Sequence, residues 1–564
     1  MILGIDLGTT NSLITCLEEG RPRAIRNALG QVLTPSVVSV DDHDVILVGQ
    51  AARERSATRP GSTAASFKRL MGSREPVQLG KHSFRPEDLS AMVLRALKAD
   101  AEADLGCSVH DVVISVPAYF NDGQRKATRL AGELAGLNVR RLVNEPTAAA
   151  LFHGIQDYQQ DARFLVFDLG GGTFDVSILE RFSGMMEVRA TGGDSFLGGD
   201  DFTAMLQQLV EHKADLSAKE QKAHAAALRF AAEGAKRALA GEVATDIALP
   251  PELDRRPVRV SQEEYERACQ PLLDRLRAPV ERALRDARLR AADLDEIVLV
   301  GGATRMPAVR RLAAQMFGRI PARHPDPDQT VALGAAVCAG LVARDAAFEE
   351  IVMTDVCPHS LGTRVTEDDG RGGLIGDVFL PIIERNTVVP ASRERSVCTV
   401  RDNQSALRVD VFQGESRLCS QNVHLGGVEF PIPARKAGEV AATIRYTYDV
   451  NGILDVDIVV DQAGISRNLV IKQLAGDVPE EEITRRRVEL AALKVHPRAQ
   501  EENRVLVERA NRLYQQLLGD EREQVGRWLS QFLGTLERQD PRAIVAARAA
   551  FAQALDTAER GNAW

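Results

Sequence analysis

Over residues 1 to about 345, short β-branched apolar runs alternate with long amphipathic stretches rich in Ala, Leu and Arg. That alternation predicts an α/β region with helices packed on sheets. The runs at 1–5, 111–116, 164–167 and 297–300 each lead into Asp, Pro or Gly, as buried strands feeding functional turns do. Residues 348–355 (Phe-Glu-Glu-Ile-Val-Met-Thr-Asp) then form a short, mostly apolar connector, neither a Gly/Ser linker nor a core helix, and suited to docking on a neighbour. From about 356 the period drops to two at 396–400, 406–412 and 443–448, and Asn451-Gly452 supplies a hairpin turn, so an antiparallel β-region is expected. From Pro479 onward the pattern is helical again. Carboxylates fill the first turn, and breaks at His496-Pro497, Gly519-Asp520 and Asp540-Pro541 divide the stretch into a small bundle. The expected boundaries are 1–347, 348–355, 356–476 and 477–564.

Composition adds limits more than detail. A chain of 564 residues exceeds the roughly 250 to 300 that one core supports, so several domains are expected. With 44% hydrophobic and 26% charged residues and a net charge of -9, nucleic acid is not expected as the main partner. Seven cysteines stand singly, without ligand spacing, and read as buried thiols in a reducing compartment. The start lacks a basic segment before an apolar run, and no uncharged stretch reaches about 18 residues, so a cytoplasmic protein without a membrane partner is expected.

The chemistry concentrates in a repeat. Leu3-Gly-Ile-Asp6-Leu-Gly8-Thr9-Thr10 and Leu165-Val-Phe-Asp168-Leu-Gly170-Gly171-Gly172-Thr173 carry the same strand-turn text, which predicts two related lobes facing one cleft. Glycines leave backbone N–H groups open to phosphate oxygens, and the opposed Asp6 and Asp168 can hold a hydrated Mg²⁺-nucleotide through water. Either turn alone could be a tight hairpin that needs Gly for its backbone; two in register favour the phosphate reading. A third element, strand 297–300 followed by Gly301-Gly302 and a helix start, suits the approach of a flat adenosine.

With these elements in this order, the first 345 or so residues resemble the actin-like ATPase superfamily. The strings Val116-Pro117-Ala-Tyr-Phe-Asn-Asp-Gly-Gln-Arg125, Arg141-Leu-Val-Asn144-Glu145-Pro146-Thr147, Ser66-Phe-Lys68-Arg-Leu-Met-Gly and Leu197-Gly198-Gly199-Asp200-Asp201 resemble its 70-kDa heat-shock chaperone branch. Asn386-Thr-Val-Val-Pro390, Asp402-Asn-Gln-Ser-Ala406, Gln413-Gly-Glu415 and Asn451-Gly-Ile-Leu454 resemble that family's peptide-binding β-sandwich, and the compact spacing is similar to the bacterial HscC type. The resemblance implies an actin-like (ribonuclease H-like) ATPase with duplicated lobes, an all-β sandwich and a short helical lid. It implies an ATPase whose cycle of ATP and ADP, with Mg²⁺ and K⁺ as candidate ions, controls the grip on unfolded or client polypeptides.

Carried over motif by motif, Lys68 would meet the γ-phosphate, with Gly8, Thr9, Thr10, Gly170, Gly171, Gly172 and Thr173 around the phosphates. Asp6, Asp168, Asp175 and Glu145 would surround the metal and the attacking water. Gly198, Gly199, Glu233, Lys236, Arg237, Gly301, Gly302, Arg305 and Asp328 would form the nucleoside side, where Ala240 replaces the family's usual serine. Val397, Val400, Leu407, Val409 and Leu454 would line or underlie the peptide groove, although alternating apolar residues in a sandwich are ordinarily core. Pro117, Arg125, Arg141 and Asp355 would couple the domains, and Arg141 with Asp355 would meet a J-domain co-chaperone; a nucleotide-exchange factor is a further implied partner. Thr354 interrupts an aliphatic connector, the segment 363–374 is polar and glycine-rich, and the end lacks an acidic terminal motif, so no tetratricopeptide partner is expected. A small-molecule kinase on the same ATPase fold and a nucleotide-dependent filament are the alternative readings, and neither uses the β-region.

Overall fold

The computed structural model describes residues 1–154, 161–182, 185–253, 256–323, 326–345, 352–368, 373–449, 452–460, 463–472, 497–499 and 501–561. Residues 348–351 of the connector, 369–372 of the polar segment, Asn451, 477–496 of the helical stretch and Trp564 lie outside the described residues. The chain divides into two compact units: one holds Met1–Ser360 with Glu384–Val389, the other Leu361–Ile383, Pro390–Ile471 and the C-terminal helices. The excursion Glu384–Val389 thus groups with the first unit although it lies within the expected β-region. Among the described residues no helix is long and apolar enough to cross a membrane.

The first unit contains two sheets built on one plan. In the first sheet, β1 (Ile2–Asp6) runs antiparallel to β2 (Asn11–Glu18) and parallel to β3 (Asp111–Val116), which is parallel to β4 (Asn138–Asn144). In the second, β5 (Ala162–Leu169) runs antiparallel to β6 (Phe174–Phe182), which is antiparallel to β7 (Met185–Asp194); β8 (Glu296–Val300) lies parallel to β5. The turns 7–10 and 170–173 are therefore equivalent hairpin turns, so the sequence repeat is a repeat of structure. The described part of the connector adds a strand, β9 (Val352–Val356), parallel to β7 through Met185↔Val352, Met186↔Met353 and Glu187↔Thr354. The bridge Val388–Val389 then pairs with Asp355 and Val356.

Five helices of this unit matter for the site: α1 (Asp122–Leu134), α2 (Glu145–Gly154), α3 (Gly199–Lys213), α4 (Ala218–Ala238) and α5 (Thr330–Ala343). Helix α5 reads Thr-Val-Ala-Leu-Gly-Ala-Ala-Val-Cys-Ala-Gly and is buried almost all round, which explains its lack of a polar face. Its small residues let backbones meet: a Cβ on Gly334 would fall 1.7 Å from the Ala148 carbonyl oxygen of α2, and one on Gly4 of β1 would fall 2.3 Å from the Ala336 nitrogen. Thr15 of β2 donates to the Ala332 carbonyl at 2.7 Å. A continuous core of Val113, Val143, Ala148–Leu151, Val166, Val298, Ala335 and Val337 joins elements of both sheets across these helices.

The second unit holds two four-stranded sheets. Strands β10 (Leu361–Asp368), β11 (Leu374–Ile383), β13 (Ala406–Gln413) and β14 (Val423–Pro431) form one, in the order β11-β10-β13-β14. Strands β12 (Ala391–Cys398), β15 (Ala441–Tyr448), β16 (Ile453–Val460) and β17 (Ile465–Lys472) follow one another in the other, with β12 on its edge. The buried Tyr446 of the second sheet donates its hydroxyl to the Gly362 carbonyl of the first at 3.0 Å. Helices α6 (Glu501–Gln516), α7 (Gly519–Arg538) and α8 (Pro541–Gly561) pack around Leu506, Leu513, Phe532, Leu536, Phe551 and Leu555. Between α7 and α8, the buried Gln539 holds φ +55° and meets Glu394 on β12: its Nε2 donates to the Glu394 carbonyl at 3.2 Å and its Oε1 accepts the Glu394 amide at 3.3 Å.

The cysteines correct one expectation. All seven are free thiols and five are buried, but Cys107 and Cys398 are exposed; Cys107 lies in the loop after a helix and Cys398 ends the edge strand, where no layer covers it.

The close crossing of α2 and α5 makes a direct prediction. Gly334→Val should lower the stability of the first unit by about 1 to 3 kcal/mol through overpacking against the Ala148 backbone, read by calorimetry as a lower transition for that unit. An unchanged transition would show that the crossing can relax.

Candidate nucleotide site

The two equivalent turns face a cavity of about 400 Å³. Strand β1 delivers Asp6, strand β5 delivers Asp168, and a 3₁₀ turn at Phe67–Leu70, entered through Ser66 at φ +56°, delivers Lys68. Helix α2 opens on Glu145. The turns interlock closely: a Cβ on Gly171 would stand 1.9 Å from the Thr10 hydroxyl, so only glycine lets the two approach. Gly301 is needed for a different reason, because its φ of +83° turns the chain after β8 back toward Leu169 and Asp168.

Lys68 is buried, with its ammonium 2.7 Å from Glu145 Oε1 and 5.7 Å from the centroid of the Phe120 ring. Four carboxylates, Asp6, Glu145, Asp168 and Asp175, crowd around this one cation. Ser115 donates to Asp6 Oδ1 at 2.7 Å, and the Tyr119 amide donates to Asp175 Oδ1 at 3.1 Å, while Asp168 Oδ2 is buried with no hydrogen-bond partner among the described residues. Burial, followed by the charge of Glu145, pushes Asp6 and Asp175 each up to about 7, and the same causes push Asp168 well above the usual carboxylate range. Among the described residues no three acidic, His or Cys groups converge to ligate a bare cation.

At the other end of the cavity, Glu233 of α4 accepts from Lys236 at 2.6 Å, Arg237 at 2.8 Å and Thr203 at 2.6 Å. Burial opposes its ionisation, but Lys236 and these hydrogen bonds win and hold it down to about 2. Lys236 also donates to the Gly199 carbonyl at 2.9 Å, and Arg305 grips Asp328 at 2.6 Å. Of the residues singled out in the sequence, Asp6, Gly8, Thr9, Thr10, Lys68, Glu145, Asp168, Gly170, Gly171, Thr173, Gly199, Glu233, Lys236, Arg237, Gly301, Gly302, Arg305 and Asp328 line this single cavity. Gly172 and Gly198 sit just behind it, against Thr9 and Gly171 respectively, and Asp175 is turned toward the 118–120 segment. Sequence reasoning missed the wall residues Asn11, Leu33, Met306, Pro327 and Val331, and the bridging Thr203. Asn11 adjoins the first turn and could have been found by adjacency; Leu33 carries no such signal.

The other predicted residues fall elsewhere. Arg125 of α1 donates to the Ala118 and Phe120 carbonyls at 3.2 and 3.1 Å and to Asn144 Oδ1 at 2.6 Å; Asn144 donates to both Asp355 oxygens at 3.0 and 3.1 Å. Burial pushes Asp355 up, opposed by its contact with the Val356 amide and by the nearby Arg141 and Arg125. Pro117 begins the 118–120 segment that Arg125 holds. Thr354 Oγ1 is buried without a partner among the described residues. In the second unit, Val397 and Leu407 are half-buried on β12 and β13 and Val400 follows β12, while Val409 and Leu454 are fully buried and underlie any surface groove.

The family model described as "Hsp70 protein" matches residues 2–78 and 74–533. A chaperone protein DnaK of Deinococcus deserti is 42% identical over 492 residues, 80% of this chain and 76% of that protein. A chaperone protein dnaK3 of Thermosynechococcus vestitus is 43% identical over 518 residues (86% and 74%), and a chaperone protein DnaK of Mycoplasmopsis pulmonis is 38% identical over 532 residues (92% and 86%).

The raised carboxylates give a pH prediction. Asp175 ionises near its ordinary 3.8 when unfolded and near 7 when folded. The folded form therefore holds a proton that the unfolded chain has lost, and stability falls as pH rises between these values. The penalty is absent below about 4 and complete above about 7. Without nucleotide, Asp175→Asn should be more stable than wild type by roughly 1 to 4 kcal/mol at pH 8, with most of that gain gone by pH 5. Melts at the two pH values check this; an equal gain at both would refute it.

Proposed function

The chain belongs to the Hsp70 family, and from that premise we propose how its own residues carry out the ATP-driven chaperone cycle. Hsp70 proteins are ATPases and chaperones, so this protein hydrolyses ATP in the service of polypeptide binding. The family brings an actin-like ATPase, a β-sandwich and a helical lid. The small-molecule kinase reading finds no support among these relatives.

ATP is read into the cavity with its phosphates between the 7–10 and 170–173 turns and its nucleoside toward Glu233, Lys236, Arg305 and Gly301-Gly302. The observation that carries this reading is the single buried ammonium of Lys68 set among four carboxylates between two duplicated glycine turns. The orphaned Asp168 Oδ2 and the raised carboxylates fit a Mg²⁺ ion, which Asp6 and Asp168 would hold through water with Asp175 and Glu145 nearby. When bound, that ion supplies positive charge against the phosphates. Hydrolysis of the terminal phosphate needs little covalent help, so the chain's part is placement. Lys68 stabilises charge on the transferring group, Thr173 and the turn amides orient it, and Glu145 and Asp175 accept hydrogen bonds from the attacking water.

Pro117, Arg125, Arg141 and Asp355 are read as the coupling set, and Val397, Val400 and Leu407, backed by Val409 and Leu454, as the peptide site. Unfolded clients, a J-domain co-chaperone and an exchange factor in the cytoplasm are the corresponding partners. ATP turnover measured with and without an unfolded polypeptide and a J-domain protein tests the whole; stimulation by neither would overturn it.

Two residue tests follow. Lys68→Ala should slow single-turnover hydrolysis by about 100-fold while nucleotide affinity changes far less, and matched turnover rates would remove its assignment. Thr354→Val removes an unpartnered buried hydroxyl, which costs about 1 to 3 kcal/mol, so amide exchange across β9 with ATP bound should slow by about tenfold. Faster exchange in the variant would sink that reading.

A further inference from the structure

The segment Ala118-Tyr119-Phe120 borders the site. The Tyr119 amide donates to Asp175, and the Phe120 ring lies under the Lys68 ammonium. All three of its carbonyls are held from the other side. Arg125 takes those of Ala118 and Phe120. The Tyr119 carbonyl is taken by His359, whose Nε2 stands 3.1 Å away. A carbonyl oxygen only accepts, so this nitrogen carries the proton. His359 is buried, its ring meets the Tyr119 ring edge-on at 4.5 Å, and Arg282 fixes the Tyr119 hydroxyl at 3.0 Å.

His359 lies four residues beyond Asp355, in the chain that leaves β9. Two lines therefore run from this short stretch to the same segment: Asp355 through Asn144 and Arg125, and His359 directly. The first passes through two side chains. The second runs through the backbone of one residue, with Asp175 bonded to the N–H of Tyr119 and His359 to its C=O, on the two peptide units that flank its Cα. No chemistry-bearing motif marked His359 in the sequence, where it is a lone histidine between Pro358 and Ser360.

We propose that His359 is a positioning residue of the ATPase, which through the Tyr119 carbonyl sets the placement of Asp175 and Phe120 according to whether the chain after the connector is in place. When that chain is seated, the Tyr119 backbone is held on both sides of its Cα; when it leaves, the N–H keeps its carboxylate and the C=O loses its donor. The catalytic carboxylate thereby senses the connector. This rests on the coupling reading above and adds a second, shorter route to it.

The test separates the hydrogen bond from the packing. His359→Phe keeps an aromatic ring against Tyr119 and removes the donor; His359→Gln keeps an N–H donor and removes the ring. In the full chain, stimulation of single-turnover ATP hydrolysis by a reduced, alkylated polypeptide should fall about three- to tenfold in His359→Phe. His359→Gln should retain at least half of the wild-type stimulation, and the calorimetric transition of the first unit serves as the control for folding. Full stimulation in His359→Phe, or equal loss in both variants, overturns the assignment and leaves His359 a packing residue. Absence of stimulation in the wild type itself overturns the coupling reading before His359 is reached.

Discussion

One buried cation among four buried carboxylates is the constraint on which the candidate nucleotide site depends. Lys68 cannot neutralise Asp6, Glu145, Asp168 and Asp175 together, and the cavity answers by raising carboxyl pKa values and leaving Asp168 Oδ2 without a hydrogen-bond partner among the described residues. Such a site is poor in positive charge until something brings it in. The surrounding architecture serves to hold this imbalance: two hairpin turns from a duplicated sheet plan, interlocked so closely that Gly171 and Thr10 exclude a side chain between them. At the Glu233 end of the cavity the balance is reversed in kind, since Glu233 is satisfied by three donors and stays ionised.

How much of this could be read from the chain depends on how local the signal is. The duplicated Asp-x-Gly turns were legible because a phosphate-binding turn needs glycine at fixed offsets from its strand, and the structure brings both copies to one cavity. Strands at 111–116 and 297–300 were legible from their apolar runs, and they take their places beside β1 and β5. Lys68 and Glu145 depended on the family resemblance, since 77 residues separate them and no pattern announces a buried ion pair. Leu33 and Thr203 escaped because they enter through tertiary packing alone. The exposed Cys398 escaped for a related reason: burial on a strand depends on whether another layer covers it, and β12 lies at an edge. Likewise the grouping of Glu384–Val389 with the first unit follows from contacts such as Arg385 and Asn386 with Asp286, at 2.8 and 2.9 Å, which no period along the sequence encodes.

The 118–120 segment links the carboxylate cluster to the chain that follows β9. It is irregular, which frees its N–H and C=O groups from any ladder: the Phe120 amide closes a turn on the Pro117 carbonyl at 3.1 Å, the Tyr119 amide is taken by Asp175, and the three carbonyls are taken by Arg125 and His359. A regular strand here would have spent the same groups on a neighbour. Loose local structure and complete hydrogen bonding are thus combined, and that combination lets a short loop report on a distant chain.

Gln539 covers part of an exposed sheet edge. An edge strand presents unpaired backbone groups that can recruit any extended chain, and β12 is such an edge. At Glu394 the Gln539 amide imitates a neighbouring peptide, donating and accepting as a strand would. One rung of the edge is therefore closed to uninvited strand addition, so a protein that works among unfolded chains carries, in a single side chain, protection against aggregating with them at that point.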